Sequence, residues 1–316
     1  MALYVKLLLA ALVTIAAGCA TPAGSTAAQA PVALKVAEGV YMLPGSRGEV
    51  DTGTLGRIGN AGFIIGDSGV IAIDTGTSYL HGVAMLNAIA KVTDKPIRLA
   101  LITHTRQEFL FGAAAYRERG IPIHMHRKTA ELMVARCEGC LKTLKRVLGE
   151  DAMRGTVMFK PDEVFDQAPL LRLIGRPVQV LHHGHSSGPG DIAVLDLQSG
   201  VLFAGGLVDH LRVPDVQDSL LPGWRRALAG LRALPIQNLV PGHGPSATAD
   251  SIDAVQRYLA QLEARVLELI RSGAALSDVP DSAALPEFKD WDQYDIIHRR
   301  NASVLFVRME REQMFK

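Results

Sequence analysis

Ten histidines and three cysteines in 316 residues supply many of the side chains that could ligate a metal or carry a proton. The stretch Leu101-Ile102-Thr103-His104-Thr105-Arg106-Gln107-Glu108-Phe109 sets an imidazole, a guanidinium and a carboxylate close together. Those types suit ligation, proton transfer and ion pairing. Further along, His182 and His183 precede Gly184-His185-Ser186, and His243 lies in Pro241-Gly242-His243-Gly244. His124 and His126 alternate in Ile123-His124-Met125-His126. Alternate strand residues share a face and could reach one ion, although strand-end histidines are ordinarily just hydrogen-bonded or partly exposed. Cys137 and Cys140 form a C-x-x-C pair. A zinc reading of that pair wants two more thiolates or histidines, and a thioredoxin-like reading wants a βαβ context. A structural disulfide is therefore the first reading, paired thiols the second and a redox site the third.

These side chains need elements to position them. Ala61 to Ile65 and Val70 to Asp74 read as strands joined by the turn Gly66-Asp67-Ser68-Gly69. A helix is predicted over Leu80 to Val92, a buried strand over Ile97 to Ile102, a helix over Gln107 to Arg119 and a strand over Ile121 to His124. His104 then sits where a strand hands over to a helix, a common place for ligands in α/β sheets. Lys128 to Gly149 reads as a helix carrying the cysteine pair. The second half repeats the pattern: strands over Leu171 to Val180, Ile192 to Leu197 and Val201 to Phe203, a helix over Pro222 to Leu234, and a strand over Gln237 to Val240 that presents His243. Helices from about Ala249 to Arg271 and from about Asp290 to Arg311 close the chain. Such alternation argues for α/β or mixed layers. The apolar spacing of Val255, Leu259, Leu262, Val266 and Leu269 suits a helix packed on its own sheet or an oligomer face.

Five landmarks in order resemble the metallo-β-lactamase superfamily: Asp74-Thr75-Gly76 ending a strand, the His104 loop, Gly184-His185-Ser186 before Gly190-Asp191, the strand Val201 to Gly206, and Pro241-Gly242-His243-Gly244. The Gly-rich Phe203-Ala204-Gly205-Gly206 also resembles zinc metallohydrolases associated with quinoproteins. The resemblance spans about Val32 to Pro245 and implies a four-layer αββα sandwich, α+β or α/β in class, with the site along one edge. It implies a metal set of His104, His185 and His243, with Glu108 where the family has aspartate. Arg106 and Phe109 stand at two other ligand positions, and Gly206 stands where a bridging aspartate is usual. Asp209 and His210 are candidates for a displaced bridging ligand.

That set is degenerate. A catalytic zinc needs about three protein ligands and an open position, and a protonated guanidinium has no lone pair to offer. At most one zinc is expected. Arg106 and Glu108 are the candidate catalytic residues, and Arg106 is expected to pair with Glu108 or Asp74, since a buried unpaired charge is costly. If the site is merely eroded, the triple change Arg106→His, Phe109→His and Gly206→Asp should raise metal affinity.

The first residues read as an address. Lys6, the apolar run Leu7 to Ala17 and Ala16-Ala17-Gly18-Cys19 fit a bacterial secretory signal over residues 1–18. The closing cysteine resembles a lipobox, which implies lipid attachment at Cys19; a plain secretory signal is the alternative. Residues 19–31 are small, polar and low in complexity, suiting a tether. One domain over residues 32–316, with a helical segment over 249–316, is expected to sit in the periplasm, anchored to the outer membrane. Export also fits Cys137 and Cys140 as an oxidised pair. A hydrophobic fraction of 48% and a charged fraction of 21% are those of a globular protein. A net charge of +1 and 5% aromatics give no electrostatic or stacking case for nucleic acid. Partners are expected to be a small molecule or a periplasmic protein. Two function classes follow: a metal-dependent hydrolase-like protein with a degenerate site, or a non-catalytic ligand-binding derivative of one. Substrate is set by loops around such a site.

Overall fold

The computed structural model describes residues 31–314; the expected signal, the expected lipidation at Cys19 and nearly all of the expected tether lie outside them. The first half builds a seven-stranded sheet in sequence order from β1 (Leu34–Ala37), β2 (Val40–Leu43), β3 (Ala61–Ile65), β4 (Val70–Ile73), β5 (Ile97–Ile102), β6 (Ile123–His126) and β7 (Glu163–Phe165). β1 to β4 pair antiparallel, and β4 to β7 pair parallel. The parallel strands carry near-continuous apolar runs because helices cover one face and the second sheet covers the other. That second sheet has the order β12-β11-β10-β9-β8, from β8 (Leu170–Leu171), β9 (Val178–His182), β10 (Ile192–Asp196), β11 (Val201–Gly205) and β12 (Asn238–Pro241).

Three apolar cores make four layers. Ile64, Ile71, Ile73, Leu99 and Leu101 of the first sheet meet Val180, Ile192, Val194, Phe203 and Val240 of the second. On the outer face of the first sheet lie α1 (Tyr79–Ala90), α2 (Gln107–Leu110), α3 (Ala113–Glu118) and α4 (Arg127–Leu148). On the second lie α5 (Leu221–Arg232), α6 (Asp250–Arg271), α7 (Val279–Ser282) and α8 (Arg299–Met314). The αββα sandwich is as expected. Val255, Leu259, Leu262, Val266 and Leu269 of α6 are all buried in this outer core, so the stripe is spent internally.

The structure departs from the sequence expectation in particular places. The helix expected over Gln107 to Arg119 is two pieces, because at Gly112 the backbone passes so close to Thr75 and Gly82 that a Cβ would meet the Thr75 carbonyl oxygen at 1.9 Å. The strand expected over Leu171 to Val180 is broken by the turn holding Gly175 and Arg176. The last helix is preceded by a π-helical turn over Tyr294–His298. The β1–β2 hairpin adds two strands that the sequence pattern does not mark, each only four residues long.

A buried ion pair staples the two sheets at the end away from the histidines. Arg176 Nε donates to Asp196 Oδ1 at 2.7 Å, while its other nitrogens donate to the carbonyls of Ile65 and Glu38. Both side chains are almost fully buried. Among the described residues, no helix is long and apolar enough to cross a membrane.

A candidate site rebuilt from ion pairs

The site forms where β4, β5, β11 and β12 end, as ligand sites do at the carboxyl ends of parallel strands. Asp74 follows β4 with φ of +61° and receives the Thr103 amide and hydroxyl, both at 2.8 Å. Burial pushes its carboxyl up to about 8. Thr103 Oγ1 lies 2.7 Å from His104 Nδ1. With Asp74 ionised, the Thr103 hydroxyl gives it its proton and accepts from Nδ1–H, which leaves the His104 lone pair on Nε2. Burial, and then the nearby Arg106 charge, push His104 down to about 3, so it is neutral.

His243 is engaged on both ring nitrogens. Nδ1 lies 2.8 Å from Asp209 Oδ1, and Nε2 lies 3.1 Å from Glu108 Oε1. Burial opposes its charge, but the Asp209 carboxylate and the bond to Glu108 outweigh it and raise its pKa. Glu108 goes the other way: burial would raise it, but His243 and Arg106 hold it down to about 2. His243 is thus an imidazolium between two carboxylates. Asn60, buried at the start of β3, fixes the loop that carries it. Its side chain donates to the carbonyls of Pro241 and Gly244 at 2.9 and 2.8 Å and accepts the Gly45 amide.

Arg106 corrects an expectation. It pairs with neither Glu108 nor Asp74; its Nη1 donates to Asp215 Oδ2 at 2.7 Å, and Arg300 contacts the same oxygen. Arg106 is the extended residue just before α2, while Glu108 is inside the helix, so the two side chains leave in different directions. Burial disfavours the Arg106 charge, but Asp215 overrides that and keeps it protonated. α8 holds the Asp215 loop: Asn301 Nδ2 donates to the Pro214 carbonyl at 2.7 Å, and its Oδ1 accepts the Val216 amide. Phe109 fills the space between the histidines, with ring centroids 4.2 Å from His104 and 5.2 Å from His243. Gly59 makes room for that ring, since a Cβ there would come within 2.6 Å of it.

His104, Glu108, Arg106, Asp209 and His243 border one small cavity of about 60 Å³. His185 is not among them; it is exposed, and its Nε2 meets the Asp218 carbonyl at 2.7 Å. Asp191, which sequence reasoning used only as a landmark, is buried on that cavity beside Ser187, 2.7 Å away. Burial pushes its carboxyl up to about 6. It stands in the place of a carboxylate at Gly206: a Cβ on Gly206 would come 3.0 Å from Asp191 Oδ2 and 2.7 Å from the His104 ring. The available signal was an aspartate closely following the His185 motif.

The remaining histidines do not converge on the site. His126 stacks on His182 with centroids 3.9 Å apart, whereas His124 faces Glu163 at 3.6 Å. His210 lines a separate cavity of about 710 Å³, which His243 borders at one end, with apolar walls that include Leu34, Val36, Met42 and Leu211. Asp209, expected as a displaced bridge, is spent on His243. Cys137 and Cys140, expected first as a disulfide from cysteine parity, stand as free thiols in mid-helix α4.

The profile of the metallo-beta-lactamase superfamily matches residues 54–243. The chain belongs to the metallo-β-lactamase superfamily. Solved metallo-β-lactamases share its fold. One from Pontibacter korlensis is 21% identical with a TM-score of 0.60, over 73% of this chain and 99% of its own. One from Hirschia baltica is 18% identical with a TM-score of 0.58, over 72% and 97%. One from Erythrobacter litoralis is 17% identical with a TM-score of 0.55, over 72% and 96%. A comparison with curated proteins finds no match. Zinc is general in this superfamily, yet among the described residues no group of three or more His, Cys, Asp or Glu side chains is arranged to hold a metal ion. The donor chemistry explains why. Both His243 nitrogens are committed to carboxylates, His185 faces away, and the position between them is a guanidinium. As arranged, the residues do not fit a zinc site.

Proposed function

We propose that this superfamily member is an exported, lipid-anchored protein that binds a small ligand beside a centre in which ion pairs replace metals. The observation that carries the reading is His243 held on both ring nitrogens, by Asp209 and Glu108. An imidazolium between carboxylates supplies the positive charge a metal would bring and leaves no lone pair for one. The 710 Å³ cavity that His243 borders is of small-molecule size and mainly apolar in its walls. Its occupant on this reading is a small, largely apolar molecule. Lipid attachment at Cys19 and a periplasmic location belong to the same proposal and rest on the leader pattern.

A second reading has one observation in its favour. Asp191 and the His104 Nε2 lone pair lie on one cavity, so a turn of His185 away from Asp218 would bring a third donor toward at most one zinc. That reading makes the chain a hydrolase-like protein with Glu108 and Arg106 at the reacting centre. Equilibrium dialysis of the mature protein against zinc, followed by elemental analysis, separates the two. We expect substoichiometric zinc that is unchanged in His185→Ala, together with binding of an apolar fluorescent probe that weakens in Leu211→Glu. One tightly held zinc that disappears in His185→Ala would overturn the proposal in favour of the hydrolase.

A further inference from the structure

The cysteine pair is a feature the proposed site does not use. Cys137 and Cys140 lie one turn apart on α4, and both line a cleft of about 400 Å³ whose other walls include Arg106, Glu108, Arg136 and Asp218. Cys137 is 1% exposed, packed in the core with Met133 and Leu144, whereas Cys140 is partly exposed. Residues three apart on an α-helix have Cα atoms about 5 Å from each other, within the range a disulfide spans. The helix therefore holds two thiols at bonding range, one open to the cleft and one behind it.

We infer that Cys137 and Cys140 are a dithiol that undergoes exchange with low-molecular-weight disulfides entering this cleft. Cys140 is the attacking sulfur because it is the accessible one. The interaction between the two thiols acts in the same direction, lowering the pKa of Cys140 and raising that of Cys137, while the Cys140 thiol donates to the Arg136 carbonyl at 3.5 Å. In the first step the Cys140 thiolate attacks one sulfur of the substrate. The substrate S–S bond breaks, and one half leaves as a thiolate that takes a proton from water. In the second, Cys137 loses its proton to solvent and attacks Cys140 Sγ, displacing the other half as a second thiol. The protein dithiol is oxidised by two electrons, and the substrate disulfide is reduced by the same two.

Oxidised glutathione tests this on the full chain carrying Cys19→Ser, reduced beforehand and freed of reductant. Both remaining thiols should disappear, with two equivalents of reduced glutathione released, and dithiothreitol should restore them. Cys137→Ser should stall as a mixed disulfide located on Cys140 by peptide mass spectrometry. Cys140→Ser should lose the reaction, because Cys137 is buried. Persistence of both thiols in the folded Cys19→Ser protein, or reaction of Cys140→Ser at an undiminished rate, would overturn the inference. The result is independent of whether the ion-pair centre binds zinc.

Discussion

Gly206 is the residue at which the fold itself resists a bridging carboxylate. The sequence suggests that Gly206→Asp would return a bridging carboxylate. The fold says otherwise, because the first added atom would lie 2.7 Å from the His104 ring and 3.0 Å from the Asp191 carboxylate. We expect Gly206→Asp, alone or with Arg106→His and Phe109→His, to destabilise the protein by about 1–3 kcal/mol through overpacking. No gain in zinc affinity should accompany it; urea denaturation and zinc dialysis read the two effects. Pairing Gly206→Asp with Asp191→Gly should recover much of the stability, since it removes the competing carboxylate. His104, Glu108 and His243 were legible as a set because they sit in recognisable strand-end motifs. Asp191 and Asp209 were underweighted because their roles depend on which cavity each side chain enters, and spacing does not encode that.

At the scale of elements, the ion-pair centre depends on α8 as much as on the strand ends. Asn301 of α8 clamps the loop that delivers Asp215 to Arg106. Asn301→Ala leaves the buried Val216 amide without its acceptor, and we expect it to cost about 1–3 kcal/mol, measured by urea denaturation. Asn301→Asp keeps the acceptor but loses the donor to Pro214, and should cost part of that. At the opposite end of the sheets, the Arg176–Asp196 staple makes a pH prediction. Burial alone would raise the Asp196 carboxyl, but Arg176 and Ser199 hold it below its ordinary value. A carboxylate with a depressed folded pKa stabilises above its unfolded value, near about pH 4, and that stability is lost as pH falls through the folded value. Asp196→Asn should therefore flatten the acid limb of the melting-temperature profile. Asp196→Ala should cost about 3–5 kcal/mol by stranding a buried guanidinium. Neither half of this staple was visible beforehand, because Arg176 and Asp196 are joined only when two sheets stack.

For the whole molecule, the two halves share the inter-sheet core, so they should unfold as one unit even though each sheet has its own helical layer. Both tryptophans, Trp224 and Trp291, report on the second half, whereas the buried Cys137 thiol reports on the first. Fluorescence and Cys137 labelling should therefore show coincident urea transitions; labelling of Cys137 well before the fluorescence change would divide the domain in two. Alternating strands and helices were determined by the sequence itself, through apolar runs and helical stripes such as that of α6, whereas the αββα layering was implied by the family resemblance that the ordered strand-end motifs carry. Those signals are local, and local patterns specify which face an element must bury. Tertiary structure alone decided that Arg106 grips Asp215, that His185 faces away, and that His243 is an imidazolium between Asp209 and Glu108. The physical reason is that charge pairing falls off steeply with distance and depends on burial, and both are set only when residues far apart in the chain close around the same cavity.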